Sequence, residues 1–214
     1  MKKKLALSAL CFVLFLGLIL LVSGVDVAAI GPCETTIGLS GINGAVRDAV
    51  GSRDALYKIT KYLGYLTILA AAGFMLLGAA QFLRRRSLKK VDPALWKLAG
   101  LYAALAVIYV FFEKCVINYR PVLTAGETAP EASFPSSHTM LFCVILGSAA
   151  IMAGRYIRNP QTRRLAQIAC VILAAVGVIF RLASGVHWFT DILGGLLISA
   201  ALLLAFSASL EKNR

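Results

Sequence analysis

The stretch FRLASGVHWFTDILGG (residues 180–195) places an arginine, a histidine and an aspartate between two long apolar runs. The chain has only two histidines, and one of them, His187, is in this stretch. A charge or an imidazole close to hydrocarbon costs free energy, so such residues in apolar sequence mark functional sites by default. The stretch therefore indicates a membrane protein with a polar site where two helices meet.

The composition places the whole chain in the membrane. Hydrophobic residues make up 59% of the 214 residues and charged residues 15%, whereas soluble domains average about 25% charged residues. Apolar runs of about 18 residues or more recur along the chain. These features predict an all-α, polytopic membrane helical bundle, with residues 1–214 forming one integral membrane domain. The net charge of +12 does not indicate a nucleic-acid partner, because the basic residues cluster in short loops between apolar runs.

Six apolar segments are long enough to be transmembrane helices. The fourth is short and is expected to extend at both ends. Between the first two lies a longer glycine-rich segment, whose residues 42–50 are predicted to form a short interfacial helix. In the sixth, Gly194, Gly195 and Ser199 are small residues that predict close packing within the bundle. The predicted spans are residues 5–22, 62–83, 96–112, 139–152, 165–182 and 192–210.

Basic residues are distributed unevenly between the two sides of the predicted bundle. If Met1 is inside, the inner segments contain 15 of the 22 lysines and arginines. Cytoplasmic loops of membrane proteins carry such an excess, so both termini are predicted to be cytoplasmic. The sequence MKKK before the first apolar run also resembles a signal peptide, and cleavage there is the alternative. Either way, the remaining spans keep their orientation.

Polar residues from separate parts of the chain reach the same predicted outer surface. Each has a structural explanation alone, because basic residues snorkel, serines cap helices and histidines bind water at the interface. Their coincidence at one depth favours a functional site. The residues are Lys114, Arg120, Ser136, Ser137, His138, Arg181, His187 and Asp191. Six aromatic residues at this depth are interpreted as an interfacial belt: Tyr109, Phe111, Phe112, Tyr119, Trp188 and Phe189.

The chemistry of this set is that of phosphoryl transfer. His187 and Asp191 are four residues apart, so on a helix they are neighbours on one face. A carboxylate at one imidazole nitrogen fixes the tautomer and leaves the other nitrogen free as a nucleophile or base. His138 is available as the second proton-handling group, and the cations and the start of the fourth span can bind an anion. Together these groups indicate a phosphohistidine intermediate.

The sequence offers no obvious metal site. Two-metal sites need several carboxylates or histidines close together, and here the outer acidic residues are scattered. The five cysteines have no metal-binding spacing. Cys33 and Cys115 both fall on the outer side, where we interpret them as ordinary small apolar residues, with a disulfide as the alternative. We therefore predict a site without a metal ion or another cofactor.

At these residues the sequence resembles the type-2 phosphatidic acid phosphatase family, the membrane branch of a superfamily shared with vanadium haloperoxidases. The resemblance rests on KCVINYRP, PSSH and FRLASGVHWFTD, between residues 114 and 191, and covers spans three to six. It implies that His187 attacks phosphorus, that Asp191 orients it and that His138 protonates the leaving oxygen. It also implies that the phosphate is bound by Lys114, Arg120, Arg181, Ser136 and Ser137.

Three positions depart from the family pattern. The family has six residues between the lysine and the Arg-Pro pair, whereas five follow Lys114 and Glu113 occupies the expected place. Phe180 replaces the serine that usually precedes the arginine of the last motif. Ser137 replaces a glycine, which is tolerated if its backbone N–H still points into the site. The first-motif lysine is therefore where this chain and the family differ most.

The resulting hypothesis is a multi-pass lipid phosphatase of the cell membrane with its active site on the extracytoplasmic side. Its substrate would be a lipid phosphate or diphosphate, and polyprenyl diphosphate, phosphatidylglycerol phosphate and phosphatidic acid all fit the residues. The sequence leaves the oligomeric state open. The alternative is a transporter or lipid-translocating protein with an outer polar gate, although no predicted span has a charge near its middle and no inverted repeat is visible. An intramembrane Ser-His protease would need a serine deeper than Ser136 or Ser137.

Overall fold

The computed structural model describes residues 1–123, 126 and 128–211. Within them, six helices are long and apolar enough to cross a membrane, which confirms all six predicted spans. Each helix extends beyond the predicted ends, because hydropathy marks only the apolar part and polar end residues continue the helix. The helices are α1 (Lys2–Gly24), α2 (Ser40–Val50), α3 (Asp54–Arg85), α4 (Pro93–Lys114), α5 (Ser137–Leu141), α6 (Gly147–Tyr156), α7 (Pro160–Ala183) and α8 (Phe189–Glu211).

The fourth span consists of α5 and α6, joined by a π-helical turn at Phe142–Leu146. It covers Ser137–Tyr156, so it extends at both ends as predicted. Such turns are often found at functional sites. Phe142 is fully buried against α7, where a Cβ atom added at Gly177 would lie 2.6 Å from its ring. The missing side chain at Gly177 therefore lets α7 approach the fourth span closely.

The first span packs along α8 as part of the bundle. Ser8 Oγ donates to the carbonyl of Ala201 at 2.7 Å, and Phe15 is buried in the core. At the helix ends, Lys4 Nζ and the terminal amine lie 2.6 and 2.7 Å from the carboxylate of Glu211. The amino terminus and the carboxyl end of α8 therefore share one end of the bundle. Asp191, in the first turn of α8, is at the opposite end.

The segment between the first two spans covers the end of the bundle that carries Asp191. It contains a two-stranded antiparallel pair, β1 (Ala28–Ala29) and β2 (Thr36–Ile37), followed by the predicted interfacial helix, which is confirmed as α2. Asn43 of α2 is fully buried and hydrogen-bonds with Thr190 of α8. This segment is thus attached to the helix that bears the predicted aspartate.

Asp92 joins the start of α4 to the end of α6 at the other end of the bundle. Its Oδ1 accepts from Ala94 N at 2.9 Å, which caps α4, and both carboxylate oxygens accept from Arg155 at 3.1 Å. Tyr156 OH donates to Oδ2 at 2.9 Å. Partial burial would raise the pKa of Asp92, but the hydrogen bonds from Arg155, Ala94 and Tyr156 outweigh it and hold the pKa below 3.8.

Candidate active site

His187 lies in the short connection 184–188 between α7 and α8, and its side chain is buried. Its Nδ1 atom is 3.5 Å from Asp191 Oδ2. The carboxylate of Asp191 is itself fixed, because it accepts from Trp188 N at 2.9 Å and from Asn118 Nδ2 at 3.3 Å. Among the described residues, neither nitrogen of His187 forms a hydrogen bond, so Nδ1 faces the carboxylate across 3.5 Å and Nε2 has no polar partner. One nitrogen of the imidazole therefore faces a carboxylate, and the other is free for chemistry.

Arg181 is fully buried in the last turn of α7. Its Nη1 donates to Thr60 Oγ1 at 3.3 Å, and its guanidinium carbon lies 5.2 Å from the centre of the Tyr57 ring. Within residues 1–123, 126 and 128–211, its Nε and Nη2 have no partner. A buried guanidinium whose donors lack acceptors is costly, and its planar fork of N–H groups matches paired anionic oxygens such as those of phosphate. The geometry fits an anion-binding role.

Arg120, which is partly buried, supplies the second cation of the site. It follows α4 in a segment that folds back on itself, because Arg120 N donates to the carbonyl of Glu131 at 2.9 Å and Tyr119 forms a bridge with Ala132. Nη1 is 2.5 Å from the Glu131 carboxylate, whereas Nε has no partner among the described residues. Arg120 can therefore offer a donor to a ligand while Glu131 holds its other end.

The surroundings favour the neutral form of His187. Burial holds its pKa well below 6.5, and the positive charges of Arg181 and Arg120 act in the same direction. An imidazole must be unprotonated to attack phosphorus. The site thus keeps His187 in the form that a nucleophile requires.

The start of α5 connects the two histidines. Ser136 caps α5, with its Oγ accepting from Thr139 N at 3.4 Å, and its backbone N–H donates to the carbonyl of Asp191 at 3.0 Å. His138 follows within the first turn, next to α3, where a Cβ atom added at Gly64 would lie 3.3 Å from its ring. These contacts hold α5 between α8 and α3 and bring His138 to the same end of the bundle as His187.

Two cavities meet at this end. A small one, about 10 Å³, is lined by His187 and Ser137, among others. A larger one, about 480 Å³, is lined by His138, Ser137 and Lys61 at its polar end and otherwise mainly by apolar side chains. Because Ser137 lines both, the two imidazoles face adjoining spaces.

The larger cavity continues as an apolar groove between α3 and α4. A third cavity, about 300 Å³, shares Met75 and Tyr102 with it and reaches Leu88 and Trp96 towards the other end of the bundle. A groove of this shape and polarity is suited to a hydrocarbon chain.

The structure brings seven of the eight predicted site residues to this region and leaves Lys114 apart. Lys114 is exposed at the end of α4, and it has no ion pair or side-chain hydrogen bond with the described residues. Glu113 instead lines the cavity of His187. Successive residues of a helix are rotated by about 100°, so when position 113 faces the site, position 114 does not. The altered spacing of the first motif thus has a visible structural consequence.

The interpretation of Trp188 as part of an interfacial aromatic belt was wrong. Its side chain is only 1% exposed, and its Nε1 donates to the carbonyl of Tyr119 at 2.7 Å. The guanidinium of Arg47 lies 5.6 Å from the ring centre. Trp188 is therefore a packed part of the site loop, because it immediately follows His187 and turns inward with it.

Sequence reasoning missed several residues that contact the site. Asn118, inside the quoted KCVINYRP, binds Asp191, and its polar side chain between apolar residues was the available signal. Asn43 holds the residue before Asp191. Thr60 and Tyr57 contact Arg181, but nothing local in the sequence links α3 to the motifs.

The close packing predicted for α8 is confirmed. A Cβ atom added at Gly194 would lie 2.7 Å from the Phe134 ring, and one at Gly195 would lie 2.9 Å from Thr139. Such distances are too short for real side chains, so only glycine lets the start of α5 approach α8 this closely. The same approach carries His138 towards Asp191.

Within the part of the chain that the structure describes, no three His, Cys, Asp or Glu side chains lie near enough to hold a metal ion. Cys33 and Cys115 are exposed, free thiols.

Comparison with known proteins agrees with this geometry. The family described as the PAP2 superfamily matches residues 94–214, and no curated protein matches the chain. The crystal structure of a transmembrane PAP2-type phosphatidylglycerolphosphate phosphatase from Bacillus subtilis matches with a TM-score of 0.66 and 18% identity, over 100% of this chain and 98% of that one. That likeness shows a common fold, which includes the first two spans. With more than half of the sequence matched, the chain belongs to the PAP2 superfamily, as its motifs predicted, and is a phosphatase.

Proposed function

We propose that this phosphatase hydrolyses a lipid phosphate or diphosphate at the extracytoplasmic side of the membrane, through a phosphohistidine on His187 and without a metal ion. One observation carries the proposal. Arg181 is fully buried with two free donor nitrogens, close to a neutral imidazole whose Nε2 is also free. Anion-binding donors beside a nucleophile are what phosphoryl transfer requires.

The first step forms the covalent intermediate. Nε2 of His187 attacks phosphorus while Asp191 accepts the Nδ1 proton as a hydrogen bond and fixes the tautomer. The bond between phosphorus and the leaving oxygen breaks, and His138 gives a proton to that oxygen. Arg120 and Arg181 bind the equatorial oxygens, over which the charge is spread in the transition state.

The second step releases phosphate. A water molecule attacks the phosphorus of the phosphohistidine, and His138, now deprotonated, accepts the proton of the water. The P–N bond breaks, inorganic phosphate leaves and His187 returns to its neutral form. The same residue thus serves as the acid in the first step and the base in the second.

The apolar groove supports a lipid as the substrate. It begins at His138, which would contact the leaving oxygen, and continues between α3 and α4. The headgroup would enter the polar end and the hydrocarbon chain would lie in the groove. The Bacillus subtilis relative is a phosphatidylglycerolphosphate phosphatase, so that lipid belongs among the candidates.

The direction of the site rests on the charges. The site and the two chain ends are at opposite ends of the bundle, because Asp191 begins α8 and Glu211, which pairs with Lys4, ends it. The basic excess on that side supports a cytoplasmic location for both ends. A variant that keeps only Cys33, which is exposed in the segment covering the site end, should react with a membrane-impermeant maleimide in intact cells. If Cys33 reacts only after the membrane is permeabilised, the site end faces the cytoplasm and the proposed orientation is wrong.

The mechanism is tested with purified protein in detergent and excess chelator. We expect phosphate release from at least one of polyprenyl diphosphate, phosphatidylglycerol phosphate and phosphatidic acid, and an acid-labile phosphoenzyme in rapid-quench samples. The His187→Gln variant should form neither product nor phosphoenzyme, whereas the exposed control Cys33→Ser should keep both. Undiminished turnover by His187→Gln contradicts the nucleophile, and loss of activity in chelator contradicts the metal-free reaction. Lipid movement across sealed vesicles without hydrolysis would favour the transporter alternative.

A further inference from the structure

The outer end of α3 forms a wall of the site, although no recognised motif lies in it. Thr60 accepts a hydrogen bond from Arg181, and the Tyr57 ring lies against the same guanidinium. One turn further, Gly64 is next to the ring of His138. Residues 57, 60 and 64 follow helical spacing, so a single face of α3 contacts both side chains.

Lys61 belongs to this face and brings a cation to the polar end of the larger cavity, which it lines together with Ser137 and His138. The neighbouring lysine, Lys58, is paired with Asp54 at 2.7 Å. Lys61 has no carboxylate within ion-pair distance in residues 1–123, 126 and 128–211. Its charge therefore remains available to a ligand that occupies this cavity.

The position of Lys61 relative to the two histidines determines which part of a substrate it can reach. Attacking and leaving oxygens lie roughly in line on opposite sides of the transferred phosphorus. In the proposed mechanism His187, which lines the small cavity, is on the attacking side, and His138, which lines the larger one, is on the leaving side. Lys61 shares the cavity of His138. It is therefore a ligand for the leaving group rather than for the phosphate that is transferred.

We propose that Lys61 binds the membrane-proximal phosphate of a lipid diphosphate and thereby makes the enzyme selective for diphosphates over monophosphates of the same lipid. In a diphosphate, the broken bond joins the terminal phosphorus to the bridging oxygen, and the leaving group is the lipid monophosphate, whose oxygens gain negative charge. In a monophosphate, the leaving oxygen belongs to an alcohol, and no anion remains beside Lys61. This inference rests on the proposed function and names its substrate class.

The test compares Lys61→Met, which keeps the length of the side chain and removes its charge, with the wild type. The substrates are a polyprenyl diphosphate and the monophosphate of the same chain length. We expect the ratio of kcat/KM for the diphosphate to that for the monophosphate to fall about tenfold or more, as for the loss of one charge-assisted hydrogen bond. Lys61→Arg should restore part of the ratio. Lys58→Met, one turn away on α3, is the matched control and should leave it unchanged.

The possible results distinguish leaving-group binding by Lys61 from a role in binding the transferred phosphate or in the fold. Equal losses of kcat/KM on both substrates would mean that Lys61 serves the transferred phosphate or the fold. Unchanged kcat/KM on both substrates would mean that it serves neither, and either result overturns the proposal. If Lys61→Met is unstable in detergent, Lys61→Gln and the affinity of wild type and variant for the product, polyprenyl monophosphate, give a second readout, and equal affinities overturn it. A wild-type enzyme that hydrolyses neither lipid contradicts the proposed function instead.

Discussion

Asn43 and Thr190, from opposite ends of the chain, form two hydrogen bonds with each other in the interior of the protein. Thr190 N donates to Asn43 Oδ1 at 3.2 Å, and Asn43 Nδ2 donates to Thr190 Oγ1 at 3.0 Å and to the carbonyl of Gly38 at 2.9 Å. Thr190 immediately precedes Asp191. The segment between the first two spans therefore fixes the turn of α8 that carries Asp191.

The Asn43→Ala variant should lower kcat about tenfold or more while leaving KM nearly unchanged. Loss of the Asn43 amide leaves its buried hydrogen-bond partners unpaired, which costs about 1–3 kcal/mol, and lets Asp191 move relative to His187. The measurement is steady-state hydrolysis of the best lipid substrate. Ile42→Ala, at an exposed position of the same helix, is the matched control. An Asn43→Ala enzyme with normal kcat would show that Asp191 is held without this contact.

The Asp191→Asn variant should lose at least about a hundredfold in the rate of phosphoenzyme formation. An amide cannot fix the imidazole in the tautomer that leaves Nε2 unprotonated, and the corresponding change in serine proteases costs about 10⁴-fold. The rate is measured by rapid quench with radiolabelled substrate. The Asn118→Asp variant changes a hydrogen-bond partner of Asp191 but keeps the Asp191 carboxylate. Its rate of phosphoenzyme formation should therefore fall less. A fast phosphoenzyme burst in Asp191→Asn would mean that the carboxylate does not orient His187.

His187 should remain neutral throughout the physiological pH range. Because its pKa is held well below 6.5, lowering the pH from 8 to 6 should not protonate it. The chain has two histidines, so His138→Gln leaves one imidazole, whose nitrogen shifts can be followed by NMR in histidine-labelled protein. A denatured sample is the control and should titrate near the ordinary value. A shift change centred near pH 6.5 in the folded protein would contradict the predicted environment.

The six membrane-spanning helices could be predicted from the sequence because they depend on local hydrophobicity. The third, fifth and sixth spans were recognised because about 18 apolar residues in a row have few other uses. His138 and His187 could be assigned to one surface because an even number of crossings returns the chain to the same side. The prediction that both histidines belong to one site followed from the number of crossings and from the motifs.

Features that depend on helix phase or on tertiary packing could not be predicted in the same way. The rotation that turns Lys114 outward and Glu113 towards the site depends on how α4 sits in the bundle. Lys61 was counted only as an outer basic residue, since nothing in its neighbours indicates that α3 packs against Arg181. Trp188 looked like an interfacial aromatic residue because hydropathy does not distinguish a buried loop from a membrane surface.

The Asp92→Ala variant should be less stable but equally active, because Asp92 lies at the end of the bundle away from the site. Loss of the helix cap and of the contacts to Arg155 and Tyr156 should cost about 1–2 kcal/mol, measured as a lower unfolding temperature in detergent at pH 7. The pKa of Asp92 is lowered in the folded state, so its contribution is fully present above pH 3.8 and is lost as the pH falls through the lower folded value. The difference between wild type and variant should accordingly persist from pH 7 to about 4 and shrink below it. Asp92→Asn, which keeps the capping oxygen, should have a stability between those of the wild type and Asp92→Ala. A reduced kcat in Asp92→Ala would contradict the separation of the Asp92 contacts from the active site.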